Sequence, residues 1–322
     1  MLFIMKNVGF TNIFISLMLL AVGCSKANRE EDGAGSQNLT GHILYDRGEK
    51  IYSLDLRSGE KSIYFEQNNY ALNGWDVSWD GLTRLETSSI AGDFQNIKFS
   101  FVNTTSGEPS KETIYPRLAG EDRLTAGKLS ADKAHILIQP DLNHGIVVLD
   151  SDGNIVTHLR TVNGKNLTLG DEACMLADNS IVFTFDGQHI LKTSPPYDEI
   201  VAIKEMNYPD WGNINCNQDG SKISMRIDKH IYVMNSDGAA LMQVTDSPTQ
   251  ERAGVFSPDG KFLLIASDYQ PATFRPGTWS LQIIPLDGEM HTVGKNPSPK
   301  VIAVKALDDA ALETGDNYML WR

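Results

Sequence analysis

Residues 255–267, VFSPDGKFLLIAS, predict a β-hairpin. One apolar strand ends at Phe256, and an alternating apolar strand starts at Phe262. In the turn between them, Pro258 fixes φ near the value that the second turn position needs, and Gly260 accepts positive φ without steric cost. Turns of this kind are common on protein surfaces, so the information lies in how often the hairpin recurs.

The hairpin recurs along the whole chain. Five further segments carry the same turn, at Asp80, Asp132, Asp178, Asp219 and Gly315-Asp316. A second series of turns alternates with the first, at Gly59, Gly107, Gly153, Gly238 and Gly288, with Pro195-Pro196 in place of glycine in the fourth repeat. Two hairpins make one four-stranded antiparallel sheet, and the spacing of the repeats, about 40 to 56 residues, predicts the blades of a β-propeller.

Two stretches carry a family resemblance. FSPDGK at residues 256–261 and IYVMNSDGAALMQVTD at residues 231–246 resemble the repeat of TolB-type β-propellers, a family of periplasmic six-bladed domains. The resemblance extends from about Gly41 to Arg322 and implies an all-β fold. Since propellers host many unrelated activities, it implies little about function.

The ends of the chain are expected to meet. The last repeat supplies the first hairpin of a blade, and the second hairpin of the same blade lies at the N-terminus. A blade shared in this way removes the free sheet edges that an open array would expose. Six hairpins of each kind predict six blades. Seven blades, two of them incomplete, are the alternative, because residues 42–46 and 318–321 both resemble the second strand of one blade.

Residues 1–24 have the plan of a signal peptide, with one lysine and an apolar run that is too short to span a membrane. The ending AVGC resembles a lipobox, which predicts lipidation of Cys24; an ordinary cleaved signal is the alternative. Residues 25–40 are polar and predict a flexible tether, and residues 41–322 form the propeller domain. Because Ser25 follows the cysteine, we expect an exported protein anchored in the outer membrane, facing the periplasm or the cell surface.

The charge balance limits the partners. The chain has 41 acidic and 28 basic residues, and nucleic acid and anionic lipid both require basic patches. We therefore expect a protein partner, with membrane contact only through the anchor. Solubility alone also explains most of the charges.

No catalytic group is evident in the sequence. It has no G-x-S-x-G nucleophile elbow, and its seven histidines are scattered without metal-ligand spacing. We therefore assign no catalytic residue, metal or cofactor, and we lean against an enzyme.

One face of the ring is the expected binding surface. Connections between blades and loops between second and third strands share this face, and carboxylates around the channel mouth would attract cations or basic peptides. The alternative interpretation is that these residues are polar simply because the connections between blades are exposed in any propeller. The candidates are Trp75, Asp76, Asp122, Asp171, Glu172, Asp210, Trp211, Glu251 and Asp308, with Phe274 and Arg275 on the long loop 268–278 of the same face.

Two functions are compatible with this face. The first is a protein-binding or scaffold module that uses an acidic, tryptophan-bearing surface. The alternative is a polysaccharide-binding protein, lyase or hydrolase, with tryptophans as stacking platforms and carboxylates as acid, base or Ca²⁺ ligands.

The remaining cysteines differ in register. Cys174 lies four residues before its turn aspartate and Cys216 three, so in alternating strands they point to opposite faces. Packed sheets lie about 10 Å apart, whereas a disulfide needs Cα atoms within about 7 Å. The spacing favours two buried free thiols, although convergence of innermost strands leaves a bridge open.

Overall fold

The computed structural model describes residues 39–47, 50–66, 72–118, 126–139, 144–271, 277–307, 312–314 and 318–322. Cys24 and the predicted signal peptide lie outside the described residues, and so does most of the predicted tether. Leu39 and Thr40, assigned to the tether from sequence, contact the propeller: Leu39 packs on an apolar cluster and Thr40 accepts a hydrogen bond from Trp321 Nε1 at 3.0 Å. In the described ranges no helix has the length and apolarity to cross a membrane.

Six blades of four antiparallel strands form a ring, and the sheet of blade 6 carries a fifth, short strand, Glu313–Thr314. We number them from the N-terminus and list each from its innermost strand outward. Blade 1 is Met319–Trp321, His42–Arg47, Lys50–Asp55 and Lys61–Glu66; blade 2 is Leu72–Val77, Thr83–Ile90, Asp93–Asn103 and Pro109–Pro116; blade 3 is Gly127–Leu129, His135–Ile138, Ile146–Asp150 and Ile155–Leu159. Blade 4 is Ala173–Met175, Ile181–Phe185, His189–Thr193 and Ile200–Glu205; blade 5 is Trp211–Cys216, Lys222–Ile227, His230–Asn235 and Met242–Gln243; blade 6 is Arg252–Phe256, Phe262–Gln270, Thr278–Pro285 and Ile302–Ala303. A short hairpin of Thr161–Val162 and Lys165–Asn166 lies outside the blades.

The repeated turn is built as its sequence predicts. Gly260 has φ 67°, and its N–H donates to the Ser257 carbonyl at 2.9 Å. The Ser257 hydroxyl donates to Asp259 at 2.7 Å and accepts from the Phe262 N–H at 3.0 Å. The same serine and aspartate pair holds the turns of blades 2 and 3, so one local device shapes several hairpins.

Two blades replace the turn glycine with a side chain that reaches the preceding blade. Lys133 has φ 62° and donates to Asp80 at 2.6 Å, and Asn179 has φ 63° and donates to Asp132 at 2.9 Å. Desolvation acts to raise the pKa of Asp80, but hydrogen bonds from Lys133, Ser78 and the Leu82 N–H outweigh it and lower the pKa to about 2. Left-handed backbone costs an ordinary residue roughly 1–2 kcal/mol, and these contacts between blades offset part of that cost.

The core is divided among the six interfaces between blades. Each of six apolar clusters joins side chains of two neighbouring blades, and the cluster of Leu44, Ile51, Trp75, Val77 and Leu320 joins blade 1 to blade 2. A closed ring of six blades has six interfaces, so this division confirms the six-bladed count and removes the seven-bladed alternative.

The ring is closed by N- and C-terminal strands, as predicted, but the last repeat is built differently from the prediction. We expected the last repeat to form a complete first hairpin at Gly315-Asp316. Instead Met319–Trp321 is the innermost strand of blade 1 and pairs with His42–Arg47, its second strand, while Glu313–Thr314 pairs with blade 6. Residues 42–46 and 318–321, which both resembled the second strand of one blade, therefore belong to two adjacent strands of blade 1.

The hairpin predicted at Gly288 is also wrong in its pairing. His291–Thr292 pairs in parallel with Thr245–Asp246, which follows blade 5, and the outer strand of blade 6 is Ile302–Ala303. The alternation of apolar and polar residues predicted a strand at His291–Thr292 correctly, but it did not predict which strand pairs with it.

The expectation of two free thiols is wrong. Cys174 and Cys216 form a disulfide between the innermost strands of blades 4 and 5, with Cα atoms 6.2 Å apart. Convergence of innermost strands toward the axis brings the Cα atoms much closer than the roughly 10 Å between packed sheets.

This disulfide yields a direct prediction. In a Cys24→Ser background, alkylation of the unfolded protein without reductant should modify neither Cys174 nor Cys216. Replacing both with serine should lower the free energy of unfolding by about 2–4 kcal/mol, measured by urea titration against the parent. Two alkylated cysteines in the unreduced parent would contradict the bridge.

Candidate functional site

The axial channel opens into a cavity at one end. This end, which we call the mouth, is where the connections between blades and the loops between second and third strands lie. The cavity has a volume of about 290 Å³. Its lining comes from five blades: Lys128, Gln139, Glu172, Ala173, Asn213, Ile214, Asn215, Arg252, Val255, Ala266, Trp279, Tyr318 and Met319.

Backbone irregularities shape the wall of the cavity. The innermost strands of blades 5 and 6 lose regular register at the mouth, where Asn213 has φ 57° and Gly254 has φ 76°. Glu172 of blade 4 supports the first bulge, because its carboxylate accepts the Ile214 N–H at 2.8 Å. Bulges often re-aim side chains beside functional sites, and here two adjoin one cavity.

The opposite end of the channel is filled by the C-terminus. The Arg322 guanidinium lies 3.9 Å over the Trp79 ring and 3.8 Å from Asp76, and its Nε donates to the Val77 carbonyl at 2.7 Å. Burial lowers the pKa of Arg322 and raises the pKa of the neighbouring Tyr318 hydroxyl well above its ordinary value. Only about 80 Å³ of free volume remains at this level, so a ligand would enter from the mouth.

Trp75 is not on the mouth surface. It is 5% exposed and packs between Phe65, at 6.1 Å between ring centroids, and Tyr318, at 5.4 Å. The reason is that the first strand of blade 2 already begins at Leu72, so Trp75 lies inside the interface between blades. This corrects its predicted place as a stacking platform.

Three predicted surface carboxylates are buried and engaged by the protein itself. Asp76, 4% exposed, accepts from the Leu129 N–H at 2.7 Å and from the Tyr318 hydroxyl at 3.1 Å. Asp171 accepts from the Thr168 and Asp186 N–H groups in its own loop region. Glu251, 0% exposed, accepts from the Thr245 hydroxyl and the Ile231 N–H, and it contacts the His230 ring at 3.2 Å. These carboxylates hold the fold and are not available to a partner.

Asp210 and Trp211 lie at the mouth, yet both have partners within the chain. Arg226 donates to both oxygens of the exposed Asp210, at 2.8 and 2.7 Å, and these bonds lower its pKa. Trp211 is half-buried and donates to the Gly187 carbonyl at 2.8 Å. Of the carboxylates predicted for the binding face, Glu172 alone is among the described residues that line the cavity. A binding role for these three residues stays a prediction.

Four predicted binding residues lie outside the described residues: Asp122, Phe274, Arg275 and Asp308. The long loop that carries two of them joins the second and third strands of blade 6, as predicted. At its start, Tyr269 is 39% exposed and its ring lies 4.8 Å from that of Trp279.

The cavity contains residues that the sequence analysis missed, above all Lys128, Asn215 and Arg252. A signal for two of them was present. Lys128 and Asn215 lie four residues before their turn aspartates, the position that Asp76 has in blade 2. A polar residue at that position interrupts the otherwise apolar first strand. This interruption indicates a side chain that faces the axial channel.

One group of potential metal ligands occurs among the described residues, and it lies away from the mouth. Asp287, Glu289 and His291 place one ligand atom each within 4.8 Å of one another. The Lys300 ammonium already donates to both carboxylates at 2.7 Å. Desolvation opposes the effect, but the bonds from Lys300 and His291 lower the pKa of Asp287. The lysine charge thus compensates this group.

Comparison with known proteins identifies the fold. No protein-family model matches the sequence, and no curated protein matches it. TolB from Acinetobacter baumannii is similar over 88% of this chain and 67% of its own, with TM-score 0.58 and 15% identity. The putative TolB from Agrobacterium tumefaciens is similar over 88% and 98%, with TM-score 0.55 and 14% identity, and a chain of a Nidogen/Laminin complex over 87% and 97%, with TM-score 0.52 and 10% identity. The likeness confirms the TolB-like six-bladed propeller, and at these identities it concerns the fold alone.

Proposed function

We propose that this chain is a lipid-anchored propeller of the bacterial cell envelope that binds a protein partner at the mouth of its axial channel. The observation that carries the proposal is the axial cavity of about 290 Å³, whose wall combines charged groups, amides and apolar side chains from five blades. The likeness to TolB structures supports the propeller fold on which the proposal rests, and the AVGC sequence supports the anchor.

The size and lining of the cavity favour part of a polypeptide as the ligand. Its volume is at the lower limit of pockets that enclose small molecules, which run from about 300 Å³ upward. Val255, Ala266 and Met319 supply apolar wall, while Gln139 and Asn213 supply amides. One side chain or chain end with its neighbouring backbone matches this volume and mixture, and the rest of the partner would lie across the surrounding mouth.

An enzyme or lectin acting on a polysaccharide receives less support. Acid and base catalysis on glycosides uses two carboxyl groups across the scissile bond. Among the described residues of the cavity wall Glu172 is the one carboxylate, and it already accepts the Ile214 N–H. The buried Trp75 and the half-buried Trp211 do not present the ring faces that sugar stacking requires.

Site-specific photocross-linking tests the binding face. A benzoylphenylalanine at Gln139, on the cavity wall, should cross-link to an envelope protein in living cells. The matched control is the same amino acid at Asp237, which is exposed on the turn between the third and fourth strands of blade 5, at the opposite face. Cross-links of equal yield from both positions, or from Asp237 alone, would show that the mouth is not the binding face.

The anchor has a separate test. Cys24→Ser should abolish labelling by radioactive palmitate and either release the protein into the soluble periplasmic fraction or leave it unprocessed. Its circular dichroism spectrum should match that of the parent, because Cys24 precedes the propeller. Persistent palmitate labelling of the variant would overturn the lipoprotein assignment.

A further inference from the structure

The Lys128 ammonium is the unusual group of the axial cavity. Lys128 lies in the innermost strand of blade 3, is partly buried, and lines both the cavity and the narrower channel below it. Its Nζ lies 5.4 Å from the centre of the Tyr318 ring. No ion pair joins it to a carboxylate of the described residues, whereas Lys111, Lys133 and Lys165 pair with aspartates at the surface.

The carboxylates nearest the axis are engaged by other donors. Glu172 accepts the Ile214 N–H at 2.8 Å, and Asp76 accepts the Leu129 N–H at 2.7 Å and lies 3.8 Å from the Arg322 guanidinium. Each carboxylate is therefore already hydrogen-bonded within the protein. Neither compensates the Lys128 charge at hydrogen-bonding distance.

The remaining polar groups of the wall are a cation and amides, and the Gln139 amide nitrogen already donates to the Asp171 carbonyl at 2.8 Å. Arg252 adds a second cation, and Gln139, Asn213 and Asn215 carry amide groups. The Lys128 ammonium thus lies in the wall without an ion pair to a described carboxylate, although the whole chain has a net charge of −13. A partly buried cation without a counter-ion is costly, and a hydrogen-bonded anion would offset that cost.

We infer that the axial cavity is an anion site in which Lys128 binds a carboxylate of the partner, from an acidic side chain or a C-terminus. This inference rests on the proposed function and specifies its ligand. It reverses the sequence-based expectation of an acidic mouth that attracts cations, because most of the described carboxylates of that face are engaged within the chain. The Tyr318 ring and the amides position the carboxylate, and the apolar wall contacts the adjoining methylene groups.

Titration calorimetry with three capped peptides tests the charge of the ligand. The probes are acetyl-Gly-Glu-Gly-amide, its glutamine analogue and its lysine analogue, and a fourth, acetyl-Gly-Gly-Gly with a free C-terminus, distinguishes a terminal from a side-chain carboxylate. At low salt we expect at least one carboxylate peptide to bind at least about tenfold more tightly than the glutamine and lysine peptides, and added salt to weaken it.

Substitutions assign the effect to Lys128. Lys128→Met should weaken carboxylate binding at least about tenfold, and Lys128→Arg should restore most of it. The matched control is Lys229→Met, which removes an exposed lysine from the same face and should leave binding within about twofold. Thermal unfolding establishes that each variant is folded, and if Lys128→Met does not fold, peptide selectivity and the Lys128→Arg variant decide.

The outcomes separate this inference from the proposed function. The anion site would be overturned if neither carboxylate peptide binds more tightly than the glutamine peptide, or if Lys128→Met leaves carboxylate binding unchanged. If cross-linking from Gln139 persists in those cases, the mouth remains the binding face. Loss of cross-linking in the parent protein would instead overturn the proposed function itself.

Discussion

The pairing of the last strand with the first is the constraint on which the structure depends. Met319–Trp321 is the innermost strand of blade 1 and pairs with the neighbouring strand His42–Arg47. Leu320 lies opposite Leu44, and Trp321 lies opposite Ile43. Each blade buries its apolar surface only against its two neighbours, so without this strand the interfaces of blade 1 with blades 2 and 6 would lose part of their core. Closure also removes the free sheet edges that an open array would expose.

Closure also shapes the axial channel. It places Tyr318 in the axial cavity and Arg322 in the channel below, where the guanidinium lies close to the buried Asp76. Asp76 and Glu172 accept hydrogen bonds from neighbouring strands, whereas the Lys128 ammonium lines the cavity wall without an ion pair to a described carboxylate. The sequence alone does not show which carboxylates are already hydrogen-bonded within the fold, as Asp76 and Glu172 are.

Local features of the fold and closure of the ring by strands from both ends of the chain were predictable, whereas the partners of several individual strands were not. The turn around Asp259 was correct because proline, aspartate and glycine determine it within four residues. The last hairpin was wrong because Gly315-Asp316 resembles that turn, whereas the strands on either side belong to different blades. Trp75 was misplaced because the point where a connection ends and a strand begins depends on packing, and the Cys174 to Cys216 bridge depends on how far innermost strands converge.

Amide hydrogen exchange on the strand pair that closes the ring tests this account most directly. If closure is the constraint that holds the propeller together, the amides of Met319–Trp321 and of the facing residues 43–45 should open only with global unfolding. Their exchange should then be as slow as that of Ile181–Phe185, the fully buried second strand of blade 4. Fast exchange of Met319–Trp321 while Ile181–Phe185 stays protected would contradict the account, because the ring would then persist without its closing strand.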